Sequence, residues 1–303
     1  VNPSVSLQSH ADASVPGSKR STEQRIPTHA ETAGAGDAKQ CRPFSFEMSY
    51  ERFEAMSAFT SPPAYHSDLA YIHDRGFGNF ACTAAPALLE MLRRHGINNG
   101  LVVDLGCGSG IWAQALTAAG YEVLGIDISA AMIKRARQRV PQAKFKRASF
   151  FAIAMPACAA VTSLGECLNY RFDGRPHPAA LARLFSRVHA SLPRGGVFIF
   201  DFLEPGQWRN SKPAQRWASG RDWATLVRAE EDTTQRMLTR HITSFRRIGR
   251  FYRRRREIHR QRLYSRFEMA AMLRQVGFSV RWLRGYGEMQ FLPGQCGCVA
   301  RKR

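Results

Sequence analysis

No stretch of the 303-residue chain comes near eighteen consecutive apolar residues, and the N-terminal region is polar with no short apolar core. A membrane span and a secretory signal are therefore not expected, and the cytoplasm is the default compartment. Cysteine is scarce and unordered: Cys41, Cys82, Cys107, Cys158, Cys167, Cys296 and Cys298 are odd in number and scattered, unlike a disulfide framework. Cys296 and Cys298 form a lone C-x-C without a second pair or nearby histidines, so no metal is expected and small core-like thiols are the better reading. Acidic residues are also few, 24 against 44 lysines and arginines, which leaves a formal charge of +20. Lysine itself supplies only seven of those cations. Such a balance sets solubility and attraction to polyanions without naming a partner.

What is present is an apolar fraction of 44%, enough for a real core in a chain of this length. Residues 1–47 are the exception. They are rich in Ser, Ala, Thr, Gly and Gln without lasting apolar periodicity, so they cannot bury enough surface to offset chain ordering and read as a disordered tail. Residues 48–98 turn helical, and Ala85, Leu88, Leu89 and Leu92 make an amphipathic helix that ends at His95-Gly96.

The most informative stretch is Leu101 to Trp112, LVVDLGCGSGIW. Three apolar residues run into Asp104, glycine then occupies alternate positions at Gly106, Gly108 and Gly110, and a helical segment begins at Ile111. This predicts a buried strand, a glycine turn and a helix whose free N–H groups can meet an electron-rich ligand. A second apolar strand, Tyr121 to Ile126, ends in Asp127, about twenty residues on, where a βαβ unit sets a carboxylate against ribose hydroxyls. A dinucleotide fingerprint would want Gly or Ala where Ile111 stands, so NAD is disfavoured.

VDLGCGSG followed by GIDIS resembles the S-adenosylmethionine-dependent methyltransferases of the seven-stranded, Rossmann-like class I, from about Tyr65 to the C-terminus. The resemblance implies an α/β fold with a doubly wound, mostly parallel sheet in the order 3-2-1-4-5-7-6, its last strand antiparallel. The remaining strands are expected at Phe145–Ala148, Ala159–Ser163, Val197–Phe200, Ser279–Arg284 and Gly297–Arg301. It implies S-adenosylmethionine as cofactor, held by Asp104, Gly106, Gly108, Ser109, Gly110, Asp127, Ile128, Ser149, Phe150, Leu164 and Gly165. Family members often carry an acid near Ser149 to receive the adenine amino group; here a serine stands there, and a hydroxyl accepts more weakly.

Loops at the carboxyl ends of the strands face the ligand in such sheets, which makes Glu166, Asn169 and Tyr170 catalytic candidates after the fourth strand. The N-terminal helices of the resembled family close over the cofactor, which adds Tyr71 and His73, with Tyr65 beside them; ordinary helix packing competes for each. No Asn-Pro-Pro-Tyr or Asp-Pro-Pro-Tyr tetrad follows the fourth strand, which disfavours exocyclic amines of adenine or glutamine as acceptors.

Residues 99–303 then form the cofactor domain, with 205–265 as an inserted lid on the acceptor side. Within it Trp223–Ala229 and Gln235–Phe245 read as an antiparallel hairpin. Ten arginines follow between Arg246 and Arg266, interleaved with Phe251, Tyr252 and Tyr264. Two readings stand for that stretch, a solvated lid strand or a groove for RNA. The expected activity is methyl transfer to an oxygen or nitrogen of a small-molecule acceptor. The alternatives are an RNA methyltransferase using the arginine-rich stretch and a non-catalytic binding module of the same fold.

Overall fold

The computed structural model describes residues 64–174, 177–206 and 214–303; the expected tail, and the first part of the helical cap, lie outside them. In chain order, α1 (Ser67–Ile72) and a π-helical turn (His73–Phe77) lead into α2 (Asn79–Arg94). The Rossmann-like alternation follows as β1 (Leu101–Leu105), α3 (Ile111–Ala118), β2 (Glu122–Asp127), α4 (Ala130–Arg139), β3 (Lys144–Arg147), β4 (Ala160–Ser163), α5 (His177–Ser191) and β5 (Val197–Leu203). Four strands come next, β6 (Ala214–Gly220), β7 (Trp223–Asp232), β8 (Met237–Ile248) and β9 (Phe251–Arg262). The chain closes with α6 (Arg266–Gln275), β10 (Phe278–Leu283), a short ladder of β11 (Gly285–Tyr286) with β12 (Met289–Gln290), and β13 (Gln295–Lys302).

The main sheet has seven strands in the order β10-β13-β5-β4-β1-β2-β3. It is parallel from β3 to β5, and β13 runs antiparallel between β5 and β10. Numbered among themselves, these strands have the order expected from the sequence.

Side chains alternate across such a sheet, so each central strand feeds two cores. Phe198, Phe200 and Phe202 of β5 join Val103, Leu105 and Val161 against α5 and α6. Val197 and Ile199 join Val102 and Ala160 against α2 and α3. With both faces covered, β5 is buried along its whole length, three residues past its expected end, and Asp201 is carried into the sheet. Each such large apolar side chain contributes about 1.5 to 3 kcal/mol of burial.

Helix starts follow their local chemistry. The Ser129 hydroxyl accepts from the Met132 N–H to open α4, and Ser265 with Glu268 forms a reciprocal capping box on α6. The expected two-strand hairpin proves to be half of a separate four-stranded antiparallel sheet, order β6-β7-β8-β9, in which the arginine-rich stretch is the edge strand. A charged, twisting edge of this kind resists pairing with other chains.

Arg253, which shares a face of that strand with Arg255, donates to the buried Asp68 at 2.6 Å, joined by Arg246 of β8 at 3.3 Å; Arg253, Arg254, Arg255 and Arg256 are all exposed. The neighbouring Phe251 and Tyr252 are 70% and 58% exposed, whereas Tyr264, the third interleaved aromatic, is buried in the core. Cys296 and Cys298 are buried core thiols of β13. Among the described residues no helix is long and apolar enough to cross a membrane.

Candidate active site

The turn after β1 is shaped by two different demands on glycine. Gly106 and Gly108 have φ of 75° and 52°. A Cβ on Gly106 would lie 2.4 Å from the Cys167 Sγ, so the turn packs directly on the loop after β4, whereas Gly108 has no atom within 4 Å of that position and faces open space. That space is a cavity of about 540 Å³ at the carboxyl ends of β1, β2 and β4, where strand order reverses.

Two carboxylates stand at its floor. Asp127 accepts from the Gly108 N–H at 2.9 Å and the Ser129 N–H at 2.8 Å, fixing the glycine turn to the end of β2. Asp104, 2% exposed, accepts from the Thr162 hydroxyl at 2.8 Å, which in turn takes the Trp112 indole N–H at 3.1 Å. Burial pushes Asp127 up to about 6 and Asp104 up to about 7; the charge of Asp127 adds to the rise in Asp104, against the Thr162 hydrogen bond.

Most of the expected cofactor residues line this cavity: Ser109 and Ile128 beside the acids, Ser149 and Phe150 past β3, Leu164 and Gly165 past β4. Gly110 does not. Its φ of 79° turns it against α4, where a Cβ would meet the Ala136 backbone at 3.0 Å, so its role is close helix packing.

Ser149 donates to Asp173 at 2.7 Å, and Asp173 also lines the cavity. An acid from the loop after β4 thus stands beside Ser149. Sequence reasoning missed it because the two positions are 24 residues apart with no pattern linking them.

The loop after β4 is held by Asp201 from within β5. That carboxylate accepts from the Gly165 and Glu166 N–H groups at 2.9 and 2.8 Å and from the Tyr286 hydroxyl and Gln295 amide, and burial pushes it up to about 6. So anchored, the loop presents Glu166, at φ 62°, to the cavity, where Arg240 and Gln261 each donate to it at 3.1 Å. The Tyr170 hydroxyl lies 3.3 Å from that of Tyr65, and burial raises both phenols.

Asn169, expected to face the site, does not. Its amide donates to the Leu203 and Arg262 carbonyls and accepts from the Leu203 N–H, which ties the loop to β5 and β9. Tyr71 is likewise turned away, donating to Asp222 at 2.7 Å beneath the Arg246 guanidinium. His73 does line the cavity; burial pushes it down to about 4, and its Nδ1 has no partner among the described residues.

The inner face of the four-stranded sheet supplies the rest of the wall, including Arg216, Thr225, Arg240 and His259. These residues were missed too. A readable signal existed for one strand: Glu257, His259 and Gln261 are the non-arginine polar residues at alternate positions of the arginine-rich stretch, which is one face of a strand.

Residues 102–196 match a family model described as a methyltransferase domain. Trans-aconitate 2-methyltransferase of Paracidovorax citrulli is 34% identical over 42% of this chain and 47% of its own length, so this chain spans about half of that relative. The dTDP-3-amino-3,6-dideoxy-alpha-D-glucopyranose N,N-dimethyltransferase of Streptomyces fradiae is 26% identical over 80% of this chain and 97% of its own. Among solved structures, SAM-bound CalS10, an amino pentose methyltransferase from Micromonospora echinaspora, superposes with a TM-score of 0.64 at 18% identity, covering 79% of this chain and 99% of that one.

Proposed function

We propose that this chain, whose residues 102–196 match a methyltransferase-domain model, is a class I, S-adenosylmethionine-dependent methyltransferase that transfers a methyl group to an oxygen or nitrogen of a small-molecule acceptor. The observation that carries this reading is the glycine turn opening on a cavity with the buried Asp104 and the half-buried Asp127 on its floor. The residues fit the cofactor: open space above Gly108 admits a ligand against the backbone, and an acidic floor suits a cation carrying hydroxyls and an amino group.

In this reading Asp127 takes the ribose hydroxyls, Gly106, Gly108 and Ser109 supply the close backbone wall, and Ile128 and Phe150 flank the base. Ser149 and Asp173 together receive the adenine amino group. Leu164 and Gly165 border the reacting end, and Asp104 adds negative charge below it. When bound, S-adenosylmethionine supplies an electrophilic methyl on a sulfonium that leaves as a neutral thioether. The protein has to align the acceptor and keep the site dry as charge disperses. The four-stranded sheet suits that task, since its inner face is the cavity's outer wall.

A small polar acceptor is supported by the cavity's upper half, where Arg216, Arg240, Tyr65, Tyr170 and Thr225 converge. It is supported also by relatives that act on trans-aconitate and on a dTDP-linked amino sugar. Three of the ten cations that suggested RNA, Arg246, Arg253 and Arg266, are engaged in ion pairs with Asp68 and Glu204.

Calorimetry with S-adenosylmethionine and S-adenosylhomocysteine tests the cofactor. Incubation with methyl-labelled cofactor and fractionated extract, with and without ribonuclease, tests the acceptor class. Label in a small-molecule fraction, insensitive to ribonuclease, is the expected result. Absence of cofactor binding refutes the proposal, and label lost on ribonuclease treatment transfers it to RNA.

A further inference from the structure

We propose that Glu257 and His259, on the arginine-rich edge strand, are a carboxylate–imidazole pair acting as the general base of this site; the inference rests on the transferase reading above. The His259 Nε2 lies 3.1 Å from the Glu257 Oε2, and the two side chains are only 2% and 6% exposed. A carboxylate can only accept, so the proton of the neutral ring sits on Nε2 and the lone pair on Nδ1. Glu257 is itself fixed, its other oxygen accepting from the His66 backbone N–H at 3.0 Å.

Among the described residues Nδ1 has no hydrogen-bond partner although it is fully buried, and the ring lines the cavity. A buried ring nitrogen left without a donor is destabilising unless a ligand fills the position. Its place is right for an acceptor. His259 sits directly across the ladder from Arg240, which reaches Glu166 at the carboxyl end of β4, and its ring centre is 5.8 Å from that of Tyr170.

The other groups facing His259 are poorer bases. Tyr65, with ring centres 4.9 Å apart, and Tyr170 are phenols whose burial keeps their protons on. Glu166 already accepts from two donors, and Arg240 is a permanent cation. His73 also lines the cavity and is electrostatically coupled to His259, but no hydrogen bond to a carboxylate orients it among the described residues, and burial depresses its basicity. Phe172, 4.9 Å away on a T-shaped approach, contributes only an apolar wall.

The step balances. A lone pair on the acceptor's hydroxyl oxygen or neutral amine nitrogen forms the bond to the methyl carbon, the carbon–sulfur pair leaves with sulfur, and the proton on that oxygen or nitrogen passes to Nδ1. Glu257 stabilises the resulting imidazolium.

The test uses the full chain in three measurements. Long-range proton–nitrogen spectra of histidine-labelled protein with S-adenosylhomocysteine bound should show a neutral His259 ring protonated on Nε2 and bare on Nδ1, assigned by its absence from H259Q. Transfer of tritiated methyl from S-adenosylmethionine into the extract fraction labelled by the wild type should fall about a hundredfold in H259Q at pH 7 and about tenfold in E257Q. The deficit should shrink at pH 9 or with added imidazole, while S-adenosylhomocysteine affinity stays within threefold. A proton on Nδ1 of the neutral ring, or H259Q turning over within threefold of wild type, overturns the pair while leaving the transferase standing. A wild type that binds no S-adenosylhomocysteine removes the transferase reading itself. Should H259Q fail to fold, E257Q decides, and turnover by E257Q within threefold of wild type overturns the pair.

Discussion

Replacing Asp127 by Asn separates cofactor recognition from stability. In the fold the carboxylate accepts from two backbone donors, Gly108 and Ser129, at 2.9 and 2.8 Å. The amide keeps one acceptor oxygen but sets its NH2 against the other donor, a loss of about 1 to 3 kcal/mol. Against this, burial has raised the carboxyl from 3.8 to about 6, so at pH 7 its ionised form is about 3 kcal/mol costlier in the fold than in the unfolded chain, and the substitution removes that penalty. The two effects nearly cancel. The thermal midpoint of the unliganded protein should therefore shift by only a few degrees.

Binding has no such compensation. Charge-assisted hydrogen bonds to the ribose hydroxyls are lost, about 1.5 to 3 kcal/mol, or roughly ten- to a hundredfold in affinity for S-adenosylhomocysteine by calorimetry. Affinity within threefold of wild type refutes the assignment of Asp127. A midpoint that collapses with affinity refutes the claim that the two roles are separable.

Gly106→Ala should destabilise the chain by about 1 to 3 kcal/mol in urea unfolding, since the new Cβ falls 2.4 Å from the Cys167 Sγ at a φ of 75°, and Cys167→Ala should recover part of the loss. Asn169→Ala leaves the Leu203 N–H without its acceptor and removes one donor each from the Leu203 and Arg262 carbonyls; about 1 to 3 kcal/mol of stability should go while the affinity of the remaining folded protein for S-adenosylhomocysteine stays within threefold. Asp173→Asn should abolish a roughly tenfold preference for S-adenosylhomocysteine over its inosine counterpart, measured by competition. Asp104, Asp127 and Asp201 are all raised, to about 7, 6 and 6, so between pH 4 and 7 the fold holds more protons than the unfolded chain and stability falls as pH rises. His73, depressed to about 4, acts in the opposite sense up to pH 6.5 but is outnumbered. Thermal midpoints should thus decline across this window without ligand, and the sulfonium cation should restore more stability at pH 7.5 than at pH 5.

Gly110 shows where a motif misleads. In sequence it is the third glycine of a cofactor turn; in the fold its missing side chain lets α4 approach, as the contact with Ala136 requires. Asn169 and Tyr71 mislead for a related reason. A polar residue near the carboxyl end of a strand, or ahead of the cofactor domain, can satisfy backbone and side-chain groups as well as a ligand, and these two do so through Leu203, Arg262 and Asp222. Nothing within a few positions of either residue distinguishes the two uses.

The chain's own pattern determined the strand–turn–helix units and the two acids at the ends of β1 and β2, while the order of the seven-stranded sheet came from the resemblance to the class I methyltransferases. The units and the acids depend on periodicity and spacing within a single βαβ unit, where local geometry leaves little choice. Tertiary structure alone decided that Asp173 stands beside Ser149, that Arg240 and Gln261 converge on Glu166, and that His259 turns into the cavity with Glu257 behind it. Residues 24 to 95 positions apart meet there because a separate antiparallel sheet packs across the switch point, and its register, set by backbone pairing over whole strands, fixes which side chains face inward.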